Sequence, residues 1–493
     1  MAASRRSSIA HRRRTNASAR KHGGMGHVGS VPGGSRSTLK RVVRYGEKFC
    51  GLWSRLGAVK DGRLKPRVAA GRVAVAYVLL LLVRLGSLNA LEQRQPPMVW
   101  TRWLGGALPS ADVMGDAAAT LRVESLRAIL EVQHRRRKRN KGFGRDRRGL
   151  RYLILDGHEG VSSFRRRWKD CLERLVHFAK GDRTQYYYRY VGAYLTNGKE
   201  RLLLDVQAQR PGEGEMACAL RLLARVLERY PRAFEVVSGD NLYMNPELWK
   251  LVRSHNKHLI AVLKNENRDL LEDARSLLAH ATPVSVDDKH VRRTCRDLQG
   301  FTTWPQCGEP VRVVQSLEET TIHRQLSRED ETVRSEWFWV TSLPAPLADT
   351  QTIVQAGHGR WGIENFSFNE LGSQWHGDHA YKYDTHALLA CTLLLLANND
   401  SSAFNFTRCD SAAASALRAS CRAASISCGN GPRSTMARLA PASFSAARAL
   451  ASPASRSRPS SATSVSPAAR PRMDHRACTG VVGLRANRSA TNY

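Results

Sequence analysis

Asp156 and Asp240 each follow a short apolar run, Tyr152-Leu153-Ile154-Leu155 in the first case and Phe234 to Val237 in the second. Runs of this length bounded by turn signals suit strands buried on both faces. In an open α/β sheet, ligands bind at the C-terminal ends of adjacent parallel strands. Two carboxylates brought together there repel one another unless positive charge lies between them. A divalent cation meets that need, and Mg2+ in particular takes carboxylate oxygens while keeping waters for substrate phosphates. Either aspartate alone could simply cap the turn after it; the repeated pattern makes the paired reading the stronger. A third acid, Glu364, stands in His358-Gly359-Arg360-Trp361-Gly362-Ile363-Glu364-Asn365-Phe366-Ser367-Phe368-Asn369-Glu370-Leu371. On a helix Arg360 and Glu364 share a face, so a carboxylate aimed at a metal would have a guanidinium one turn away to grip a phosphate. An ordinary surface ion pair is the plain alternative.

The elements that would position these side chains are α/β in texture from residue 150 onward. After the first apolar run come strands at Tyr186 to Tyr194 and Leu202 to Val206, joined through Asn197-Gly198, a strong hairpin signal. Leu220, Leu223, Leu227 and Tyr230 then share one helical face, and Pro231 stops the helix. Phe234 to Val237 is the next strand, Pro246 opens a helix through His255, and Leu259 to Leu263 is a further strand. Residues 280–350 read as a β-rich insertion around Val311 to Val314 and Trp337 to Thr341. A helix over Gln351 to Gly372 and a buried one over Leu388 to Leu396 complete the pattern in residues 351–400. Upstream, residues 47–149 form a small helical region expected to touch DNA, with helices over 67–95 and Ser110 to Val132. The run His134-Arg135-Arg136-Arg137-Lys138-Arg139, continued by Arg145, Arg147 and Arg148, is dense enough in charge to be expected as a linker or a phosphate-facing loop.

Composition narrows the function classes. The chain of 493 residues has 77 Lys and Arg against 43 Asp and Glu, a formal net charge of +34 that asks for a polyanionic partner. Residues 1–46 carry 11 Lys or Arg and no acid among Gly and Ser, a composition expected to be disordered. Residues 401–493 hold 13 Arg, no Lys and two acids among Ala, Ser and Pro, a disordered tail with the character of GC-rich DNA translated out of frame. The longest apolar stretches fall well short of the roughly 20 residues that cross a bilayer, so no membrane role is expected. Ten cysteines without a Cys-x-x-Cys pair read as reduced, buried thiols suited to the cytoplasm, and no apolar segment of an export signal follows the N-terminal arginines.

Taken together, Leu155-Asp156-Gly157-His158-Glu159, Val237-Ser238-Gly239-Asp240-Asn241-Leu242-Tyr243, Ile260 to Lys264 leading to Arg268-Asp269-Leu270-Leu271-Glu272-Asp273, and Arg360-Trp361-Gly362-Ile363-Glu364-Asn365 with Phe368-Asn369-Glu370-Leu371 resemble the catalytic signatures of the DDE transposases of bacterial insertion sequences, in the IS-four-like branch. The resemblance spans about residues 70–400. It implies an RNase H-like mixed sheet flanked by helices, with a β-rich insertion between the second and third acids. It also implies Asp156, Asp240 and Glu364 as a metal-binding catalytic triad with two Mg2+ or Mn2+ ions. Arg360, Lys264 and Arg268 are then expected on DNA. The partners implied are terminal inverted repeats and target DNA, bound by a homodimer in a nucleoid-associated synaptic complex. Two positions depart from the branch: Gly357 and Leu371 stand where it often carries Tyr and Lys. Trp304 could stack on an unpaired base near the element end, with packing into the core an alternative of at least equal weight. The basic residues Arg135, Arg136, Arg137, Lys138 and Arg139 could contact phosphates without reading bases. His376, Asp378 and His379 are a weaker metal candidate, with a structural role favoured because Gly377 interrupts them. A catalytically inactive, transposase-derived DNA-binding protein is the alternative expectation, and a stand-alone nuclease a third.

Overall fold

The computed structural model describes residues 43–399 except 83, 94–100, 102–103, 265–267, 287–290 and 324–329. The expected N-terminal arm up to residue 42 and the tail from residue 400 lie outside the described residues.

At the centre is a ten-stranded mixed sheet: β1 (Tyr152–Ser163), β2 (Leu172–Val176), β3 (Arg183–Thr196), β4 (Arg201–Ala208), β5 (Val236–Gly239), β6 (His258–Val262), β7 (Val284–Ser285), β8 (Val291–Phe301), β9 (Val311–His323) and β10 (Asp330–Thr341). The order across it is β2-β3-β1-β5-β6-β10-β9-β8-β7, with β4 also paired to β3. Only β1, β5 and β6 run parallel to one another. Their apolar runs are buried on both faces, as parallel strands between helical layers require. The β-rich stretch does not stand apart, because β10 pairs with β6 and carries the sheet onward.

Helices cover both faces. On one lie α6 (Glu215–Arg229), α7 (Pro246–Ser254) and α8 (Arg268–Leu278), whose apolar sides meet Leu153, Leu155, Val237 and Leu259. On the other lie α9 (Thr350–Gly359), which packs on Val236, Ile260 and Trp339, then α10 (Asn369–Trp375) and α11 (Thr385–Asn399). Helix α11 is apolar almost all round because it is sandwiched between the sheet and an N-terminal helical layer. That layer comprises α1 (Leu52–Gly57), α2 (Ala70–Leu82), α3 (Leu88–Gln93), α4 (Ala111–Ala118) and α5 (Val123–Arg139). The arrangement is the helix-flanked mixed sheet expected of an RNase H-like domain. The six cysteines described are all buried. No helix among the described residues is long and apolar enough to cross a membrane.

Two expectations need correction. The basic run is no linker: Arg135 to Arg139 form the last turns of α5, where cations are favoured by the carbonyl end of the helix. The helix read through Gln351 to Gly372 is broken, since α9 stops at Gly359 and the chain turns at Arg360 and Trp361. It then winds one π-helical turn over Glu364–Phe368 before α10. Glycines at 357, 359 and 362 lower helix propensity through this stretch. Gly357 is also required by packing, because a Cβ there would overlap the indole of Trp339; the Tyr of the branch has no room. Leu371, at the other departure, is buried in the core.

The N-terminal layer is held to the sheet by a buried charge network. Arg127 on α5 donates from Nε to Asp205 on β4 (3.1 Å) and from Nη2 to the Val206 carbonyl (3.2 Å), while Arg225 on α6 donates to the other Asp205 oxygen at 2.7 Å. Asp205→Ala would leave Arg225 without its carboxylate and Arg127 with Glu124 alone. We expect a loss of about 3–5 kcal/mol in denaturant unfolding, the usual cost of breaking one side of a buried pair; a loss under about 1 kcal/mol would show that the network is not what holds the layer.

Candidate active site

Alternation along β1 decides where its side chains go. Leu153 and Leu155 face the α6 layer, so Ile154, Asp156 and His158 face the layer of α9 to α11. The apolar run in the sequence puts Asp156 at a strand end, whereas β1 continues to Ser163 along β3. Only the parallel ladder to β5 stops, at Ile154, which opens the sheet beside Asp156 on that edge. Asp240 follows the end of β5, and Lys264 follows β6 with its side chain exposed. Glu364 opens the π-helical turn and is exposed. Asp156, Asp240 and Glu364 thus lie about the C-terminal end of the parallel strands, close enough for the charges of the latter two to act on Asp156.

The site is crowded with negative charge. The Asp156 side chain is 11% exposed, and burial, reinforced by Asp240, Glu364 and Glu215, pushes its pKa up to about 7 against the opposing pull of Arg360. Arg360 Nη1 donates to Asp156 Oδ2 at 3.4 Å, and the Gly157 amide donates to Oδ1 at 2.9 Å. Asp240 Oδ1 accepts from the Leu242 amide at 2.9 Å, so this aspartate does cap a turn, Asn241–Tyr243, while remaining at the sheet edge. Arg360, read from the sequence as a phosphate grip or an ordinary ion-pair partner of Glu364, is instead the counter-charge of Asp156.

Glu215, Tyr243 and Arg189 are not singled out by the sequence. Glu215 is the first residue of α6 and lies against Gly157, where a Cβ would stand 2.5 Å from its carboxylate. Arg189 donates to one oxygen of Glu215, and the Tyr243 hydroxyl donates to the other at 3.1 Å. Burial first, then Glu215, Asp156 and Asp240, hold the Tyr243 phenol protonated well above its ordinary range. Gly157 is the available signal: a glycine directly after a candidate acid marks a close approach from the opposite layer.

The remaining candidates are dispersed. Trp304 is buried edge-to-face against Trp249 of α7, ring centroids 5.2 Å apart, so its ring is not presented to a base. Its indole covers α7 beneath the turn at Pro305–Cys307. Arg268 opens α8, with its side chain outside the described residues. Arg135, Arg136, Arg137, Lys138 and Arg139 lie at the other end of β1, near its start. There Lys138 is bonded to the Arg232 carbonyl at 2.9 Å and Arg135 is paired with Glu131 at 3.5 Å. Asp378 pairs with His158 at 3.2 Å rather than forming a centre with His376 and His379.

The chemistry of the donor set fits a hard divalent cation, since every candidate ligand is a carboxylate oxygen. Among the described residues, no group of three or more His, Cys, Asp or Glu is placed to hold a metal ion. Mg2+ does not require such a group, because one or two carboxylates with water and substrate phosphates suffice.

Because burial and like charges raise the pKa of Asp156, its proton is bound more tightly in the folded chain. The ionised form costs stability from about pH 4 upward, reaching its full cost above about pH 7. Asp156→Asn should therefore raise the melting temperature at pH 8 and lose that advantage near pH 4, with a gain of up to roughly 4 kcal/mol. A variant less stable than the parent at pH 8 would contradict the crowding.

No curated protein matches the chain. Residues 163–399 match the family model of the transposase DDE domain, a stretch that begins after Asp156 and takes in Asp240, Arg360 and Glu364; this similarity supports a DDE transposase.

Proposed function

We propose that this chain is a transposase of the IS-four-like branch, cutting and joining phosphodiesters at the terminal inverted repeats of an insertion sequence and at target DNA. The observation that carries the reading is that Asp156, Asp240 and Glu364, 84 and 124 residues apart in sequence, lie about one end of the parallel strands. Asp156, Asp240 and Glu364 would hold the two Mg2+ or Mn2+ ions. When bound, such ions supply activation of water or a 3′-hydroxyl and stabilisation of the leaving oxygen in an in-line displacement.

The chain's own residues do the rest. Arg360 exchanges its contact with Asp156 for a non-bridging phosphate oxygen, to which its planar fork is matched. Lys264 offers a point charge to a neighbouring phosphate from the end of the third parallel strand. Tyr243 and Arg189 hold the Glu215 carboxylate away from Asp156 by occupying both of its oxygens. A homodimer would bring the two element ends together.

A second reading, a DNA-binding descendant without activity, draws on Leu371, an apolar core residue where the branch carries Lys. The two separate in one experiment with the full chain, Mg2+ and DNA bearing the cognate repeats. We expect joined product from the parent, its loss to background for Asp156→Ala, Asp240→Ala and Glu364→Ala, and end binding retained by all three. End binding with neither nicking nor joining by the parent would select the second reading; nicking without joining would indicate a nuclease.

A further inference from the structure

Beyond Asp156, β1 continues for seven residues, about 23 Å of strand, and its far end carries the β2–β3 hairpin. Between residues 164 and 183 there are seven Lys or Arg against three acids. Arg165, Lys169 and Lys180 are exposed and have no ion-pair partner among the described residues. Two further guanidiniums meet ring faces instead of carboxylates: Arg166 lies 4.8 Å over Tyr383, and Arg183 lies 4.9 Å over Phe164 and 6.0 Å over Phe178. Rings used in this way hold cations outward at a set height. Phe178 is 45% exposed, and its edge-to-face contact with Phe164, centroids 5.5 Å apart, ties the hairpin turn to the loop before β2.

The surface is braced rather than loose. Arg174 forms a two-pronged pair with Glu159 of β1, both bonds at 2.8 Å. The Trp168 indole donates to the Thr385 hydroxyl at 3.2 Å, and that hydroxyl donates to the Asp170 carbonyl at 2.8 Å, fastening the loop to the start of α11.

We propose that this hairpin is the docking surface for the backbone of duplex DNA flanking the phosphodiester that enters the Asp156 site. This inference rests on the function proposed above and adds where the substrate lies. The distance from Asp156 is about two-thirds of one duplex turn, so a helix reaching the carboxylates passes phosphates over Arg165, Lys169, Lys180 and Arg183. The aromatic faces are occupied by guanidiniums, so the surface offers charge to phosphates and no platform for unpaired bases. Binding here is therefore independent of sequence.

The test uses the full chain with a random-sequence duplex in EDTA, read by fluorescence anisotropy from about 50 to about 300 mM salt. The variant Arg165→Gln/Lys169→Gln/Lys180→Gln should weaken binding at least about tenfold at low salt and flatten the slope of log K against log salt by about 2–3, roughly 0.9 for each phosphate that is no longer neutralised. Arg135→Gln/Arg136→Gln/Arg139→Gln, at the other end of the sheet, should change the slope less. In the unsubstituted chain, bound duplex should shield Lys169 and Lys180 from acetylation, a readout that does not depend on how a variant folds. An unchanged slope for a folded hairpin variant, or undiminished acetylation in the complex, overturns the proposal. So does a variant that loses binding to anionic phospholipid vesicles while keeping its duplex affinity. Because EDTA prevents strand chemistry, a parent chain that binds through the hairpin yet never joins DNA would sink the transposase reading and leave this surface standing.

Discussion

A buried carboxylate surrounded by three others, with one guanidinium against it, is the constraint on which the site depends. Asp156 is repelled by Asp240, Glu364 and Glu215 and attracted by Arg360, and burial outweighs the attraction. Burial, reinforced by these acids, pushes the carboxyl pKa up to about 7, so the site favours a neutralising positive charge. A DNA phosphate brought to the same place adds negative charge and competes for Arg360. Substrate can settle there only if positive charge arrives with it, so cation binding and DNA binding are linked by the charge balance alone.

The backbone solves the positioning by using both faces of one strand. Successive residues of β1 send Asp156 toward the π-helical turn and leave Gly157 facing α6, so Glu215 can lie against the chain next to Asp156 without sharing its face. The turn that carries Glu364 needs its own support, because three glycines weaken the helix before it. His358 on α9 provides that support through a 2.6 Å bond to the buried Glu318 of β9, which Arg293 and Ser316 also hold. The antiparallel half of the sheet thus acts as a brace for the third acid.

Much of this was legible in the residue order. The apolar runs before Asp156 and Asp240, the Asn197-Gly198 hairpin, the Pro246 helix start and the apolar α11 all follow local physics that tertiary packing left unaltered. The extension of β1 was not legible, because Gly157-His158-Glu159-Gly160 lacks the branched and apolar residues that mark a strand. β2 was hidden for a similar reason, being an edge strand with exposed Glu173 and Arg174. Trp304 misled because a tryptophan next to proline in a β-rich stretch looks presented, whereas burial against Trp249 is a property of the fold. Glu215 had no periodic or motif signal, only its place at the start of a helix that happens to begin over Gly157.

Charge density and charge presentation differ, and this chain separates them. The densest basic run, at the end of α5, is largely exposed, but several cations in it and in the loop that follows are engaged: Lys138 bonds a carbonyl, Arg145 shares Glu235 with Arg151, and Arg148 pairs with Asp349. A phosphate that recruited Lys138, Arg145 or Arg148 would first have to displace these partners, at a cost that offsets part of the Coulomb gain. The run also sits at the starts of the parallel strands, roughly 17 Å of strand from Asp156 counted from Arg151. On the β2–β3 hairpin, at the same end of the sheet as the acids, Arg165, Lys169 and Lys180 face outward without carboxylates among the described residues. Topology separates the two groups: parallel strands gather their C-terminal ends on one side, and the hairpin cations share that side with the carboxylates while the α5 cations lie at the other.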